Sequence, residues 1–396
     1  MKYLVTGGAG FIGAALCNTL VRAGHVVRVI DDLSSGEPAR LDQAVHLTRG
    51  DVADVPKLWS LLQGIDCVYH LAARVSVPES VLYPLDYNAT NVGGTVALMQ
   101  AMRDAGVRRV VLGSSGAVYG EQLVQPLKED SIPNPSSPYA VSKLAAEYYL
   151  HTIGALWGME TVALRIFNAY GPGQQARVSH PPVIPAIVRQ ALTGGSIIVH
   201  GNGKQMRDFV YIDDVVNALV SAASAPHVSR LTINVGSGVA CSINDLVASI
   251  SRVLGKELVP LHVTADSGGV SRMCAELSRA HERLGYETRV TLEQGLRQYI
   301  HTQLVAAHTP EAAQYRQGQR GIAEKPDGDG ALMVQQRVNR CIVTGQHHPT
   351  TIHDSQMGAQ VRDVRDGGCR HDNGFTHAAQ LLDELPQLHV SAWVGA

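Results

Sequence analysis

Two residues four positions apart, Tyr139 and Lys143, offer acid–base chemistry. On a helix, positions i and i+4 share a face, so phenol and ammonium lie about one turn apart. A nearby cation favours phenolate, and the pair predicts a tyrosine with a lowered pKa, suited to proton transfer. That spacing also arises often by chance. It gains weight from Ser114-Ser115, which follow the apolar run Val110-Val111-Leu112. A hydroxyl at the end of such a strand stands at the carboxyl edge of the sheet, where ligands bind in open α/β folds.

A second constellation opens the chain. Thr6-Gly7-Gly8-Ala9-Gly10-Phe11-Ile12-Gly13 follows a first strand and leads into a helix, and Asp31 ends the second strand eighteen residues after Gly13. Glycines in that turn let the backbone approach a pyrophosphate, whose charge the helix N-terminus stabilises. A carboxylate at the position of Asp31 accepts from ribose hydroxyls and repels a 2′-phosphate, so the expected cofactor is NAD rather than NADP.

These residues need a scaffold, and the pattern supplies one. Short apolar runs such as Tyr3-Leu4-Val5, Val26 to Ile30, Cys67 to Leu71 and Val162 to Phe167 alternate with helical stretches, among them Ala14 to Ala23, Val96 to Ala105 and Lys143 to Ile153. Strand–helix alternation predicts an α/β fold, a Rossmann-type doubly wound parallel sheet with helices on both faces. From about Gly171 prolines punctuate the chain, and a smaller mixed α/β lobe is expected over residues 171–305, after a dinucleotide-binding part spanning 1–170. Within it Ser242 has the place of an N-cap, with Asp245 set for reciprocal capping.

Composition narrows the class. The 396 residues are 45% hydrophobic, enough for a sizeable core, and 33 basic against 35 acidic side chains leave a formal charge of −2. That balance lacks the cationic excess that nucleic-acid or polybasic membrane partners demand. No apolar run reaches the ~18–20 residues of a membrane span. The chain moves from Met1 straight into a strand, which predicts no signal peptide, and its six scattered cysteines form no Cys-x-x-Cys pair. A cytoplasmic protein with reduced thiols is the expectation. Residues 341–396 hold six of the seventeen histidines. His347, His348, His353, Cys369 and His371 lack the spacing of a closed zinc site, so no metal is expected; residues 306–396 read as a polar, poorly ordered tail, and those beyond about 310 as dispensable for catalysis.

The ordered series TGGAGFIG, Asp31-Asp32, Gly50-Asp51-Val52, HLAA at 70–73, Asn91, SSGAVYG at 114–120, YAVSK at 139–143 and RIFNAYGPGQ at 165–174 resembles the extended short-chain dehydrogenases/reductases that epimerise or dehydrate nucleotide sugars. The resemblance covers roughly residues 1–300 and is nearest to UDP-glucose 4-epimerases. It implies that Gly7, Gly10, Phe11, Ile12, Gly13, Asp31 and Asp32 hold NAD, that Asp51 and Val52 meet the adenine, and that Leu71, Ala72, Ala73 and Asn91 line the cofactor groove. Ser115, Tyr139 and Lys143 would be the catalytic trio, the last two also touching NAD. Asn168 and Arg207 would hold the UDP diphosphate, and Met273 matches a position whose bulk limits the sugar C2 substituent. Two subunits would pair through helices near 91–105 and 140–153.

Residues 116–117 separate reaction types. Family dehydratases carry an Asp-Glu pair there and decarboxylases a Glu, whereas Gly116-Ala117 can move no proton. The reading is therefore a UDP-hexose 4-epimerase interconverting UDP-glucose and UDP-galactose through a 4-keto intermediate. UDP-glucuronate 4-epimerase or another nucleotide-sugar epimerase or dehydrogenase is the alternative within enzymes. Asn168, in place of a threonine, favours neutral hexoses, while Arg177 near Gln175 argues the other way. The alternative of another class is a non-catalytic NAD-binding regulatory protein, against which the intact Ser-Tyr-Lys set speaks. One departure stands out: Asp266-Ser267-Gly268-Gly269 replaces the family's Arg-x-Gly-Asp, so a phosphate-clamping arginine is missing, with Arg272 the nearest substitute.

Overall fold

The strand segments are apolar almost without interruption, as parallel strands covered on both faces must be. In the computed structural model, which describes residues 1–174, 181–264 and 270–307, they build a seven-stranded all-parallel sheet. Its strands are β1 (Lys2–Thr6), β2 (Val26–Asp31), β3 (His46–Arg49), β4 (Cys67–His70), β5 (Arg109–Ser115), β6 (Glu160–Ile166) and β10 (Leu231–Val235). The order is β10-β6-β5-β4-β1-β2-β3. The chain runs outward from β1 on one side and from β4 on the other, so the β1/β4 boundary is the switch point at whose carboxyl end a crevice opens. β10 comes from the later part of the chain and pairs in register with β6, Leu231 opposite Val162.

Helices α1 (Phe11–Arg22), α2 (Val55–Leu62), α3 (Val77–Leu82), α4 (Pro84–Tyr87), α5 (Gly94–Ala105) and α6 (Pro138–Trp157) follow the early strands. Between α4 and α5 the backbone widens into a π-helical turn, Asn88–Gly93. α6 begins five residues before the expected Lys143. The Ser137 hydroxyl accepts from the Ala140 amide at 3.1 Å, and Pro138 occupies the first helical position, where its missing N–H costs nothing. Tyr139 thus sits in the first turn, and Gly158, at φ 66°, ends the helix.

The remaining elements are β7 (Asn168–Tyr170), α7 (Val183–Thr193), β8 (Ile197–His200), β9 (Met206–Tyr211), α8 (Ile212–Ser224), β11 (Ala240–Ser242), α9 (Ile243–Leu254), β12 (Pro260–Val263), α10 (Ser278–Leu284) and α11 (Leu292–Ala307). They form a three-stranded sheet, β11-β9-β7, and a parallel pair, β12-β8. Ser242 caps α9 by accepting from the Asp245 amide, but the Asp245 carboxylate accepts from the Ser242 hydroxyl at 2.6 Å rather than from its backbone.

Cys17, Cys67 and Cys274 are buried free thiols and Cys241 is half-buried. Among the described residues no helix is long and apolar enough to cross a membrane, and no cluster could hold a metal ion. Gln175, Arg177, Asp266 to Gly269, the two last cysteines and the histidine-rich segment lie outside the described residues.

Candidate active site

The glycine turn works by backbone-to-backbone contact. Gly7 has φ 69°, and a Cβ there would stand 2.6 Å from the Ala72 nitrogen; one on Gly13 would stand 2.2 Å from the Gly7 oxygen. β1, the turn, α1 and the end of β4 therefore close on one another only without side chains. Gly10 starts α1 with no side-chain cap, leaving first-turn amides open to a cavity of about 640 Å³. Open amides at a helix N-terminus fit a pyrophosphate.

Asp31 lines the same cavity at the end of β2. Its carboxylate accepts from the Ala9 and Leu33 amides, both at 2.9 Å. Burial raises its pKa and those two amides oppose the rise. A carboxylate has about four acceptor sites, so two remain for ribose hydroxyls. Asp32 is tied to Ser34 and Asp51 to the Ala53 amide. Both line the cavity, as do Phe11, Ile12, Val52, Leu71, Ala72 and Ala73.

Asn91 does not. Its side chain accepts from the Arg74 amide (2.9 Å) and donates to the Arg74 carbonyl (3.0 Å) and the Ser142 hydroxyl (2.9 Å). The π-helical turn aims it at the backbone after β4, which it fixes against α6, instead of at the groove. Met273 is also absent from the cavity wall. It packs behind Gly116, where an added Cβ would meet both its methyl and the Phe167 ring at 3.2 Å.

Ser115, Tyr139 and Lys143 share one stretch of wall. The Ser115 oxygen accepts from the Ala117 amide at 3.1 Å, which leaves the hydroxyl proton free to donate. Tyr139 is held edge-on by Tyr87, ring centroids 6.4 Å apart. The electrostatics depart from the sequence expectation. Burial raises the Tyr139 pKa and only the Ser115 bond opposes it. Burial also lowers Lys143 to about 8, opposed by Glu147. Lys143 donates to the Gly113 carbonyl at 2.8 Å, not to the phenol. In a site this enclosed, desolvation outweighs the one-turn attraction between the two side chains.

The far end of the cavity holds unsatisfied polar groups. Asn168 Oδ1 and Gln174 Oε1 are buried without hydrogen-bond partners. Arg207 is buried, donating to the Met206 and Val270 carbonyls at 2.9 and 2.8 Å, and no carboxylate among the described residues lies within ion-pair distance. An orphan acceptor costs about 1–3 kcal/mol, which a ligand donor would recover. Arg272 is exposed. Gln174, Arg40 and Gln205 also line the wall and were not singled out by spacing; Gln174 closes the RIFNAYGPGQ motif, which is its only signal.

The sequence profile of the NAD dependent epimerase/dehydratase family matches residues 3–236, more than half of the chain. The chain belongs to that family. As a member it is an NAD-dependent enzyme, and the glycine cradle, the open α1 terminus and Asp31 fit the cofactor. The chain is 37% identical over 304 residues, 75% of its length and 96% of the relative's, to the UDP-glucose 4-epimerase of Mycolicibacterium smegmatis. It superposes on the UDP-glucose 4-epimerase of Thermotoga maritima with UDP-glucose at a TM-score of 0.75 and 32% identity, covering 78% of this chain and 100% of that one. Similar too is a variant UDP-glucuronic acid 4-epimerase of Bacillus cereus in complex with UDP-4-deoxy-4-fluoro-glucuronic acid and NAD, at a TM-score of 0.71 and 30% identity, covering 77% and 100%.

For this family member one cofactor prediction follows from Asp31. A 2′-phosphate beside its carboxylate costs repulsion and lost hydrogen bonds, on the order of a few kcal/mol. NAD is expected to bind at least tenfold more tightly than NADP. Equal affinities in a calorimetric titration contradict this.

Proposed function

We propose that the protein is a UDP-hexose 4-epimerase, interconverting UDP-glucose and UDP-galactose. The observation that carries this reading is Ser115, Tyr139 and Lys143 together on one cavity wall, while the two residues after Ser115, Gly116 and Ala117, bring no side-chain proton donor or acceptor. Elimination needs such a group; epimerisation needs a base, a hydride acceptor and room for the ketone to turn. The matches to UDP-glucose 4-epimerases support it, and the orphan acceptor of Asn168 suits hydroxyl-bearing or amide donors of a sugar nucleotide.

NAD, when bound, supplies a hydride acceptor and a cationic ring. A cationic ring beside Tyr139 would favour its phenolate, and in that form Tyr139 would take the C4 hydroxyl proton and later return it, with Ser115 donating to the C4 oxygen in both directions. Lys143, tethered to Gly113, would hold the nicotinamide ribose. Arg207 offers its cation to the diphosphate, about which the 4-ketone rotates to present its other face. In this reading residues 1–170 serve NAD and 171–305 mainly the sugar nucleotide. UDP-glucuronate is the second substrate to weigh, on the likeness to the Bacillus cereus enzyme.

The test is a panel of UDP-sugars incubated with the purified protein. UDP-galactose is expected from UDP-glucose, at a higher rate than any glucuronate conversion; turnover of UDP-glucuronate alone overturns the hexose assignment. We further propose a homodimer. Val141, Tyr148 and Tyr149 of α6 and Leu82, Tyr83 and Leu85 of α3–α4 are exposed, whereas α5 presents no large exposed apolar side chain. Wild type is expected to sediment at twice the chain mass and Tyr148→Glu at the chain mass; a monomeric wild type contradicts the proposal.

A further inference from the structure

Two consecutive residues of β5, Gly113 and Ser114, each bind one residue of the α6 stripe Tyr139, Lys143, Glu147. The Gly113 carbonyl accepts from Lys143 at 2.8 Å, the Ser114 hydroxyl donates to Glu147 at 2.5 Å, and Ser115 shares the cavity wall with Tyr139. Glu147 is 2% exposed, one helical turn beyond Lys143, and faces no solvent that would explain a carboxylate there. Arg165 of β6 stands in register with Ser114 and clamps Glu147 through Nη2 at 2.8 Å and Nε at 3.1 Å. The Arg165 guanidinium lies 4.6 Å from the Tyr119 ring centre, so its own position is fixed. Buried ion pairs of this kind bring little net stability, which directs attention to what the charge does locally.

We propose that Glu147 is a positioning residue of the active site: its clamped carboxylate holds the charge of Lys143 and the end of β5 in the arrangement that Ser115 and Tyr139 use. This rests on the 4-epimerase reading for its effect on turnover, but not for its effect on Lys143. The groups around Lys143 leave Glu147 as its counter-charge. His70 of β4 is fully buried between Thr6 and Thr95, and held neutral with a pKa of about 3 by burial and by Lys143 itself. Asn91 and Ser142 are neutral, and Tyr139 is protonated in the free site. Arg165 carries the same sign as Lys143, Tyr148 and Tyr149 of α6 are exposed, and His151, one turn beyond Glu147, is held below its usual pKa by burial. Removing the Glu147 charge therefore favours neutral Lys143, and the Arg165 cation left unpaired pushes in the same direction.

The experiment compares wild type, Glu147→Gln and Glu147→Asp as NAD-loaded full chains. The first readout is the Lys143 Nζ titration by nitrogen-15 NMR, assigned with Lys143→Arg, which needs no substrate. Glu147→Gln is expected to lower the midpoint by about one pH unit, the effect of removing an opposite charge at this range. Glu147→Asp keeps the charge one methylene further away and is expected to fall in between. The second readout is the alkaline limb of kcat, expected to shift down with the midpoint while KM changes less than twofold. An unmoved Lys143 midpoint in Glu147→Gln, or in Glu147→Asp should the glutamine variant not fold, overturns the proposal whatever the substrate proves to be. A shifted midpoint with no epimerisation in wild type overturns the 4-epimerase reading instead.

Discussion

Tyr139→Phe is expected to lose 10³–10⁴-fold in kcat while the protein keeps its fold and its NAD. The phenyl ring still fills the space against Tyr87, Val77 and Ala117, so packing is preserved. Only the phenolic oxygen disappears, and with it the base that Ser115 supports. General-base catalysis contributes about 10²–10⁴-fold. The upper end applies because Lys143 is committed to the Gly113 carbonyl and cannot serve the same oxygen. Circular dichroism and bound-cofactor absorbance check the first half, steady-state kinetics the second. Retention of most wild-type turnover removes Tyr139 from the mechanism.

Gly13→Val is the second large effect, on a different quantity. Its Cβ would lie 2.2 Å from the Gly7 oxygen and 2.7 Å from the Gly8 Cα, both backbone atoms that cannot swing aside. The turn must open, which displaces the first-turn amides of α1 from the pyrophosphate position. Lost charge-assisted hydrogen bonds of this kind are worth about 1.5–3 kcal/mol each. NAD retention on desalting is expected to fall below a tenth of wild type. The sheet lies on the other side of the turn and is expected to persist, which far-UV circular dichroism reads. Full cofactor retention contradicts the role assigned to the cradle.

The placing of the glycine cradle and of Ser115, Tyr139 and Lys143 on one cavity is legible in the sequence because each is a local pattern that depends on one strand and one helix. Gly7, Gly13 and Asp31 need only β1, α1 and β2 in order. The start of α6 was legible as well, in Ser137-Pro138, but the apolar period alone placed it at Lys143. Other features depend on parts of the chain that meet only in the fold. Asn91 was expected in the groove, and a π-helical turn rotates it toward Arg74 and Ser142. Met273 reaches the site region from a distant segment and stops behind Gly116. Glu147 looks like one more solvated helix carboxylate until β6 sets Arg165 opposite Ser114. The Tyr139 pKa was misjudged for a similar reason. The i, i+4 spacing reports the distance between charges and says nothing of the desolvation that outweighs it.

The proposed reaction is a reversible oxidation at C4 of a UDP-hexose, and the fate of the C4 hydrogen decides it. UDP-galactose deuterated at C4, incubated with the enzyme in ordinary water, is expected to give UDP-glucose that keeps the label at C4, read by mass spectrometry and proton NMR. Under the proposed mechanism the same hydride would leave and return inside a cavity that Ser115 and Tyr139 line, so the label would be retained. A UDP-glucose product with hydrogen from solvent at C4, or no epimer at all, contradicts the claim.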